Sequence, residues 1–415
     1  MKILLINPNR YRTPPVPPLG LEYLENALMN TQHECRICDL CFSADPLTVL
    51  ESEVARFAPD VAGVTVRNID TVIASNNVFF LDDIKSVVNR LKMHGIPVIA
   101  GGVGYSFIPD GILAYLGADW GVRGPGERAI VHILDLLESE PPPVGTVFDG
   151  WALGFDPEKP VKRGDSVDYE RYIKEDGLVG FETQKGCKEH CSYCCEGRGT
   201  VLFRSPRRIV GELGMLAEHG FTDFHLCDTE FNQDLSFCHT FLETLINKGP
   251  TIRWTLYMKS SPYDEDLFRL LAQSGAYLIT LSIPTGKNSF EHAREITRLA
   301  KKYGIKIAVD MLVGLPGETL ESVKRKIETL RDIQPDTAGV NSTLRLYPGE
   351  LSRSIFESEE YRNYLSGAVN DNPDLIRPVF YSHITVDNLR DIIGDDPLFK
   401  IEGFERTSNY ERLRR

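Results

Sequence analysis

Short apolar runs alternate with stretches of helical period along most of the chain. Lys2 to Asn7 reads as a strand, Leu21 to Met29 as a helix and Val61 to Val66 as a further strand. Phe80 to His94 follows as a helix stopped by Gly95, then Pro97 to Ala100 as a strand closing on Gly101-Gly102. Ala118 to Val122 and Gly126 to Leu137 add another strand and helix. Strands alternating with helices predict a parallel sheet covered on both faces. Such sheets bind ligands at the carboxyl ends of their strands. The loops there are Asn7-Pro8-Asn9-Arg10, Arg67-Asn68-Ile69-Asp70, Gly101-Gly102-Val103-Gly104 and Arg123-Gly124-Pro125-Gly126-Glu127.

The pattern lapses between residues 139 and 176, where Glu140-Pro-Pro-Pro, Gly145, Gly150 and Asp165 lie among few periodic apolar positions. This reads as a connector with room for a short strand or two. A second alternation starts at Leu178. Its strands are Val179 to Gln184, Asp223 to Cys227, Ile252 to Tyr257, Tyr277 to Ile283, Ile305 to Val313 and Ala338 to Ser342. Helices run between them from Arg207 to His219, Leu235 to Asn247, Glu265 to Gln273, Ser289 to Tyr303 and Leu320 to Ile333. Gly220, Gly249 and Gly304 stand where left-handed C-caps belong, and Thr319 where an N-cap does. Six such units make most of a barrel, whose chemistry belongs at the carboxyl ends of its strands. The expected fold class is α/β: a doubly wound N-terminal sheet over 1–138, a connector over 139–176, a partial (β/α)6 barrel over 177–345, and a C-terminal extension or cap over 346–415.

Composition changes this picture little. A chain of 415 residues is long enough for two or three domains. A net charge of -13 speaks against a broad nucleic-acid footprint. No run of eighteen apolar residues predicts a membrane span, and the proline-interrupted start does not read as a signal peptide. Nine cysteines, most of them clustered, favour a cytoplasmic chain with metal or redox chemistry over a disulfide framework.

Three of them, Cys187, Cys191 and Cys194, form C-x3-C-x2-C in Lys-Gly-Cys-Lys-Glu-His-Cys-Ser-Tyr-Cys, behind the first barrel strand. Four thiolates saturate a tetrahedral zinc or a four-iron cluster. Three thiolates on a cubane leave one iron open to a small ligand. A structural zinc completed by His190 or Cys195 is the competing reading, but the second ligand pair usual in zinc sites does not follow.

The triad's spacing, with Tyr193 before its last cysteine, resembles the signature of the radical S-adenosylmethionine (SAM) superfamily. Gly314-Leu-Pro-Gly-Glu-Thr, with the Pro348-Gly349 pair beyond the sixth strand, resembles the elongator-protein-type subgroup. Pro17-Pro18-Leu19-Gly20-Leu21-Glu22-Tyr23-Leu24, the Gly101-Gly102 turn and Val122-Arg-Gly-Pro-Gly-Glu-Arg resemble the cobalamin-binding-type domain of class B members. The resemblance covers roughly residues 1 to 350. It implies a [4Fe-4S] cluster on Cys187, Cys191 and Cys194 whose open iron takes the amino and carboxylate groups of SAM. It leaves cobalamin open, because the Asp-x-His-x-x-Gly axial motif is missing and no histidine follows the first strand.

Within that frame, cofactor contacts are expected from Tyr193, Asp228, Glu230, Asn232, Lys259, Ser282, Asp310 and Arg345. Pro284 stands where many relatives carry a glutamate, so that contact does not transfer. Cys195 and Cys227 are candidates at the pocket edge for catalysis or a thiophilic substrate, with small buried hydrophobes as the plain alternative. Cys35, Cys38 and Cys41 form C-x2-C-x2-C, but the segment reads better as the second strand of the first sheet. The implied reaction is reductive cleavage of SAM and transfer of a methyl or alkyl group to a small-molecule biosynthetic intermediate, with electrons from an external flavodoxin- or ferredoxin-type donor. A cobalamin-independent transfer of a 3-amino-3-carboxypropyl group, and a non-catalytic cobalamin or metal carrier, are the alternatives. Neither nucleic acid nor membrane is an expected partner.

Overall fold

The computed structural model describes residues 1–196, 199–283 and 289–402. Pro284 lies outside the described residues. The chain divides into two compact units, residues 1–71 with 78–179, and residues 72–77 with 180–415.

The first unit is built on one parallel sheet. Its elements are β1 (Lys2–Asn7), α1 (Leu19–Leu28), β2 (Glu34–Asp39), α2 (Pro46–Phe57), β3 (Val61–Thr65), α3 (Leu81–Met93), β4 (Val98–Gly101), α4 (Pro109–Leu116), β5 (Trp120–Arg123), α5 (Glu127–Ser139) and β6 (Val147–Asp149). The strand order is β2-β1-β3-β4-β5-β6, with every pair parallel. Ile3 to Ile6 are fully buried, as a strand covered on both faces requires. The expected connector contributes β6 as a sixth strand, then the short helices α6 (Gly150–Leu153) and α7 (Tyr169–Lys174). Two helices, α2 and α4, were not legible, because neither carries a long apolar stripe. Asp45 caps α2 through the Thr48 amide, and Gly117 ends α4 in the left-handed region at φ +69.

The connector is held to α1 by buried polar contacts. Arg163 Nε donates to Glu22 Oε2 at 2.9 Å, and the Tyr169 hydroxyl donates to the same carboxylate. Cys35 and Cys38 lie in β2 opposite Ile3 and Ile6, and Cys41 follows the strand. Burial pushes the Cys38 thiol up to about 12 and the Cys41 thiol to about 11, so both are protonated, inert side chains.

The second unit carries a seven-stranded sheet. Its elements are β7 (Val179–Phe181), β8 (Gln184–Cys187), β9 (Thr200–Phe203), α8 (Pro206–Glu218), β10 (Asp223–Leu226), α9 (Leu235–Lys248), β11 (Arg253–Lys259), α10 (Glu265–Gln273), β12 (Ala276–Ser282), α11 (Ser289–Lys302), β13 (Lys306–Leu312), α12 (Leu320–Ile333) and β14 (Thr337–Asn341). The C-terminal segment adds β15 (Leu344–Arg345), α13 (Glu350–Glu357), α14 (Glu359–Arg362), β16 (Leu365–Gly367), β17 (Val379–Tyr381), α15 (Val386–Ile393) and β18 (Phe399–Ile401). The sheet order is β18-β14-β13-β12-β11-β10-β7, so the last strand extends the partial barrel beyond β14 in parallel. Phe181, Phe224, Phe231, Phe241 and Trp254 form an aromatic core between sheet and helices.

Asp234, Asp264 and Thr319 cap α9, α10 and α12 with their side chains. Gly220 and Gly304 take the left-handed conformation at φ +89 and +74. Gly249 does not. It is extended, at φ -92 and ψ 174, and a Cβ there would meet Leu245 Cδ1 at 2.5 Å. Close packing rather than handedness explains that glycine.

Candidate functional site

The expected single strand from Val179 to Gln184 is two. β7 stays in the parallel sheet, and β8 leaves it to pair antiparallel with β9. Asp228 explains the break. Its carboxylate accepts the Thr183 amide at 2.8 Å, the Gln184 amide at 3.3 Å and the Thr183 hydroxyl. Backbone donors taken by a buried side chain cannot serve a neighbouring strand. The resulting hairpin carries Lys185-Gly186-Cys187 to the carboxyl end of the barrel. Gly186 sits at φ +89, a conformation that a side chain would strain.

Cys187 is buried, Cys191 half-buried and Cys194 exposed. Each sulfur has a donor beside it. The Glu189 amide reaches Cys187 Sγ at 3.4 Å, the Glu196 amide reaches Cys194 Sγ at 3.4 Å, and the Tyr193 hydroxyl bonds Cys191. Burial still pushes the Cys191 thiol up. Such donors suit sulfur that carries charge as a metal-bound thiolate. Among the described residues only His33, Asp135 and Glu138 bring three ligand atoms within 4.8 Å of one another. The triad is therefore wider than a single tetrahedral ion wants, since bonds of about 2.3 Å set sulfurs about 3.8 Å apart. The spread fits a cluster better than a lone zinc.

The strand register places the other candidates. Lys259, Ser282 and Asp310 pair side by side across β11, β12 and β13, so all three lie on one face near the carboxyl edge. Lys259 Nζ donates to Glu189 at 2.6 Å, which links this row to the cysteine loop. Glu230, after β10, accepts from the Ser282 hydroxyl and feels the Lys259 charge. Burial outweighs both and pushes its carboxyl up to about 8. Glu230 Oε2 and Gln184 Oε1 are buried without hydrogen-bond partners, and the Gln184 amide nitrogen donates to the Glu230 carbonyl at 2.6 Å. Two buried acceptors without partners fit a ligand bearing an ammonium group or hydroxyls.

Other candidates hold the scaffold. Asn232 is buried and bonds Lys259 N–H at 2.9 Å, Lys259 C=O at 2.9 Å and Pro262 C=O at 2.7 Å. Arg345 is buried under the extension, donating to the carbonyls of Leu346, Leu375 and Ile376. Tyr193 packs into the cluster of Leu344, Leu346, Ile355, Val379 and Tyr381. Cys195 is half-buried, and Cys227 is exposed with its thiol 3.7 Å from the His225 carbonyl. Sequence reasoning missed Gln184 and Gln233. Their one signal was an amide side chain at a strand end beside the triad or an acidic candidate, which is common without function.

The raised Glu230 carboxyl gives a signed prediction. Its folded value lies above the ordinary 4.5, so the native state holds a proton that the unfolded chain releases. Its contribution is fully present below about pH 4.5 and is lost as pH rises through about 8. Glu230→Gln removes that titration. The metal-free variant is expected to be more stable than the parent at pH 9 by roughly 2–4 kcal/mol relative to their difference at pH 5. Urea melts at both pH values read this, and equal differences at the two would refute it.

In the first unit, β1 is flanked by β2 and β3, so the chain reverses its strand order there. Ligands of doubly wound sheets bind at such a switch point. A cleft of about 240 Å³ opens at the carboxyl ends of β1 and β3, lined by Asn9, Arg10, Tyr11, Thr65, Arg67 and Asn68 among others. A Cβ on Gly104 would sit 2.9 Å from the Arg67 carbonyl, so only glycine lets the loop after β4 lie against the loop after β3. The lining is rich in donors and holds no histidine. It suits the amides and phosphate of a cobalamin bound without a histidine from the protein.

Fold and site together define a radical SAM protein preceded by a cobalamin-type domain. Residues 11–134 match the B12 binding domain family, and residues 181–330 match the radical SAM superfamily. The two matches together give this chain a B12-binding domain followed by a radical SAM domain. A tryptophan 2-C-methyltransferase from Streptomyces laurentii is 27% identical over 89% of this chain and 77% of that protein. An uncharacterized methyltransferase from Pyrococcus horikoshii is 23% identical over 88% and 86%. The radical SAM methyltransferase TsrM from Kitasatospora setae, solved with cobalamin and a [4Fe-4S] cluster bound, has the same fold, with a TM-score of 0.87 at 24% identity over 96% of this chain and 92% of that one. No helix among the described residues is long and apolar enough to cross a membrane.

Proposed function

We propose that this protein is a methyltransferase that uses SAM, a [4Fe-4S] cluster and cobalamin to methylate a carbon of a small aromatic metabolite, with tryptophan the first substrate to test. The observation that carries this reading is the tryptophan 2-C-methyltransferase matched across both domains, 27% identical over 89% of the chain. Residues 1–138 would hold cobalamin, 139–176 connect, 177–345 hold the cluster and SAM, and 346–415 close the barrel's edge.

Cys187, Cys191 and Cys194 would hold the cluster, and the cleft residues Asn9, Arg10, Tyr11, Arg67 and Asn68 would hold cobalamin. When bound, the cluster supplies single electrons at an iron open to SAM and cobalamin supplies a carrier for methyl groups. The chain's own residues bind and orient. Gln184 Oε1 and Glu230 Oε2 would accept from the SAM ammonium, and Lys259 would balance its carboxylate. Ser282 and Asp310, beside Lys259 in register, would hydrogen-bond the ribose hydroxyls. Asp228 and Asn232 fix the strand ends that carry these groups. Methylation of a C–H carbon releases a proton, and the barrel mouth offers carboxylates to receive it. The electrons would come from a flavodoxin- or ferredoxin-type donor in a reducing cytoplasm.

The test is anaerobic reconstitution with iron, sulfide and cobalamin, then incubation with tryptophan and SAM labelled in its methyl carbon. The expected result is S-adenosylhomocysteine with the label on a tryptophan carbon. Methylthioadenosine in its place would replace this reading with 3-amino-3-carboxypropyl transfer.

A further inference from the structure

Gln233 lies in the loop between β10 and α9 and is 3% exposed. Its side-chain nitrogen donates to Cys187 Sγ at 3.2 Å. Its side-chain oxygen accepts from the Lys188 amide at 3.0 Å and from Lys259 Nζ at 3.4 Å. Those two partners are donors only, so the amide's orientation is forced: oxygen toward the lysines, nitrogen toward the sulfur. Its backbone carbonyl takes the Lys188 ammonium at 3.1 Å.

The loop does not need this side chain to keep its path. Phe231 N–H bonds the Tyr257 carbonyl, Gln233 N–H bonds the Phe231 carbonyl, and Asp234 caps α9. What the side chain adds is a dipole aimed at one sulfur in a buried setting, where such a dipole acts strongly. A donor on a cluster thiolate stabilises the more negative, reduced state and raises the reduction potential. The backbone donors at Cys187 and Cys194 are fixed by the chain's path. Gln233 is a side-chain donor that a substitution can remove.

We propose that Gln233 is a positioning residue that raises the reduction potential of the cluster on Cys187, Cys191 and Cys194, and that its contact with Lys259 couples this setting to the SAM-side row. The proposal rests on the cluster reading of the triad. The redox step takes one electron from an external low-potential donor such as titanium(III) citrate, and no covalent bond forms or breaks in it.

Gln233→Met tests the effect, because it removes the N–H donor from Cys187 Sγ at similar volume and adds no charge. Gln233→Glu keeps an oxygen for Lys188 N–H and Lys259 and serves should the first variant fold poorly, its added negative charge shifting the potential in the same downward direction. The experiment is an anaerobic redox titration of the reconstituted full chain, followed by electron paramagnetic resonance, with iron and sulfide counted per chain. Both variants are expected to keep the wild-type iron content. At a fixed potential their ratio of reduced to oxidised cluster falls about tenfold, equivalent to a shift of about 59 mV for one electron. Midpoints unchanged from wild type would overturn the proposal. So would loss of iron from both variants with the fold intact, which would make Gln233 a clamp on the loop and nothing more. A wild-type chain without a cluster would overturn the underlying reading, and the iron count shows that separately.

Discussion

Replacing Cys187 by alanine is expected to abolish iron retention and SAM turnover while leaving the fold in place. Cys187 is the buried member of the triad, at the last position of β8. Removing its sulfur leaves two thiolates, and two cannot hold a cubane against exchange with solvent. The cost to the apoprotein is modest, about 1–3 kcal/mol, because one sulfur atom leaves the core and the buried Gln233 N–H loses its acceptor. Iron and sulfide per chain should fall to background and SAM consumption with them, with the circular dichroism spectrum unchanged. Cys38→Ala provides the contrast. That thiol is buried in β2 and held protonated, so iron content and turnover should match wild type. If Cys187→Ala keeps its iron while Cys38→Ala loses it, the two cysteine sets have been assigned the wrong way round.

The contrast shows why the two triads were unequally legible. Spacing alone allowed a cluster at either. The period of two along Glu34 to Asp39 settled the first set, because cysteines three apart on a strand cannot converge on one face. At the second set the sequence showed the cysteines and the strand before them, and that strand is shorter than expected. Asp228 captures two amides at its end and sends the chain into a hairpin with residues thirteen or more positions away. A contact over 45 residues leaves no local periodicity.

The same reason hid the polar shell. Lys259 and Ser282 were named because each stands at a predicted strand end, where barrel chemistry collects, and Asp310 because the fifth strand carries it. Asp228 and Asn232 were found by the same rule, yet their atoms are engaged with backbone. Position narrows the list to one rim of the barrel. Only the direction of each side chain separates residues that face a ligand from residues that hold the rim in shape. Arg345 makes the point from the other side, since a cation past the sixth strand is buried on three carbonyls of the extension.

The rim's shape depends most on Arg204, just past β9. Its guanidinium donates to Glu212 on α8 at 2.7 Å and to the Glu182 carbonyl at 2.9 Å, while its amide donates to the Thr183 carbonyl at 2.9 Å. The two side chains are 7% and 1% exposed. One residue thus ties the end of the cysteine hairpin both to the start of that hairpin and to the barrel wall. Arg204→Met leaves Glu212 charged in the interior with that partner gone. Breaking a buried pair in this way costs about 3–5 kcal/mol. For a unit of this size the melting temperature should fall by roughly 6–20 °C. Iron retention should fall as well, because the hairpin that presents Cys187 loses its anchor. The double variant Arg204→Met with Glu212→Leu separates the causes, since an apolar pair of similar volume removes the buried carboxylate together with its partner. Its melting temperature is expected to recover most of the loss, while iron retention stays below wild type because the bond to the Glu182 carbonyl is still missing. A double variant no more stable than the single would mean that loss of Glu212's ion pair with Arg204 was not the cause.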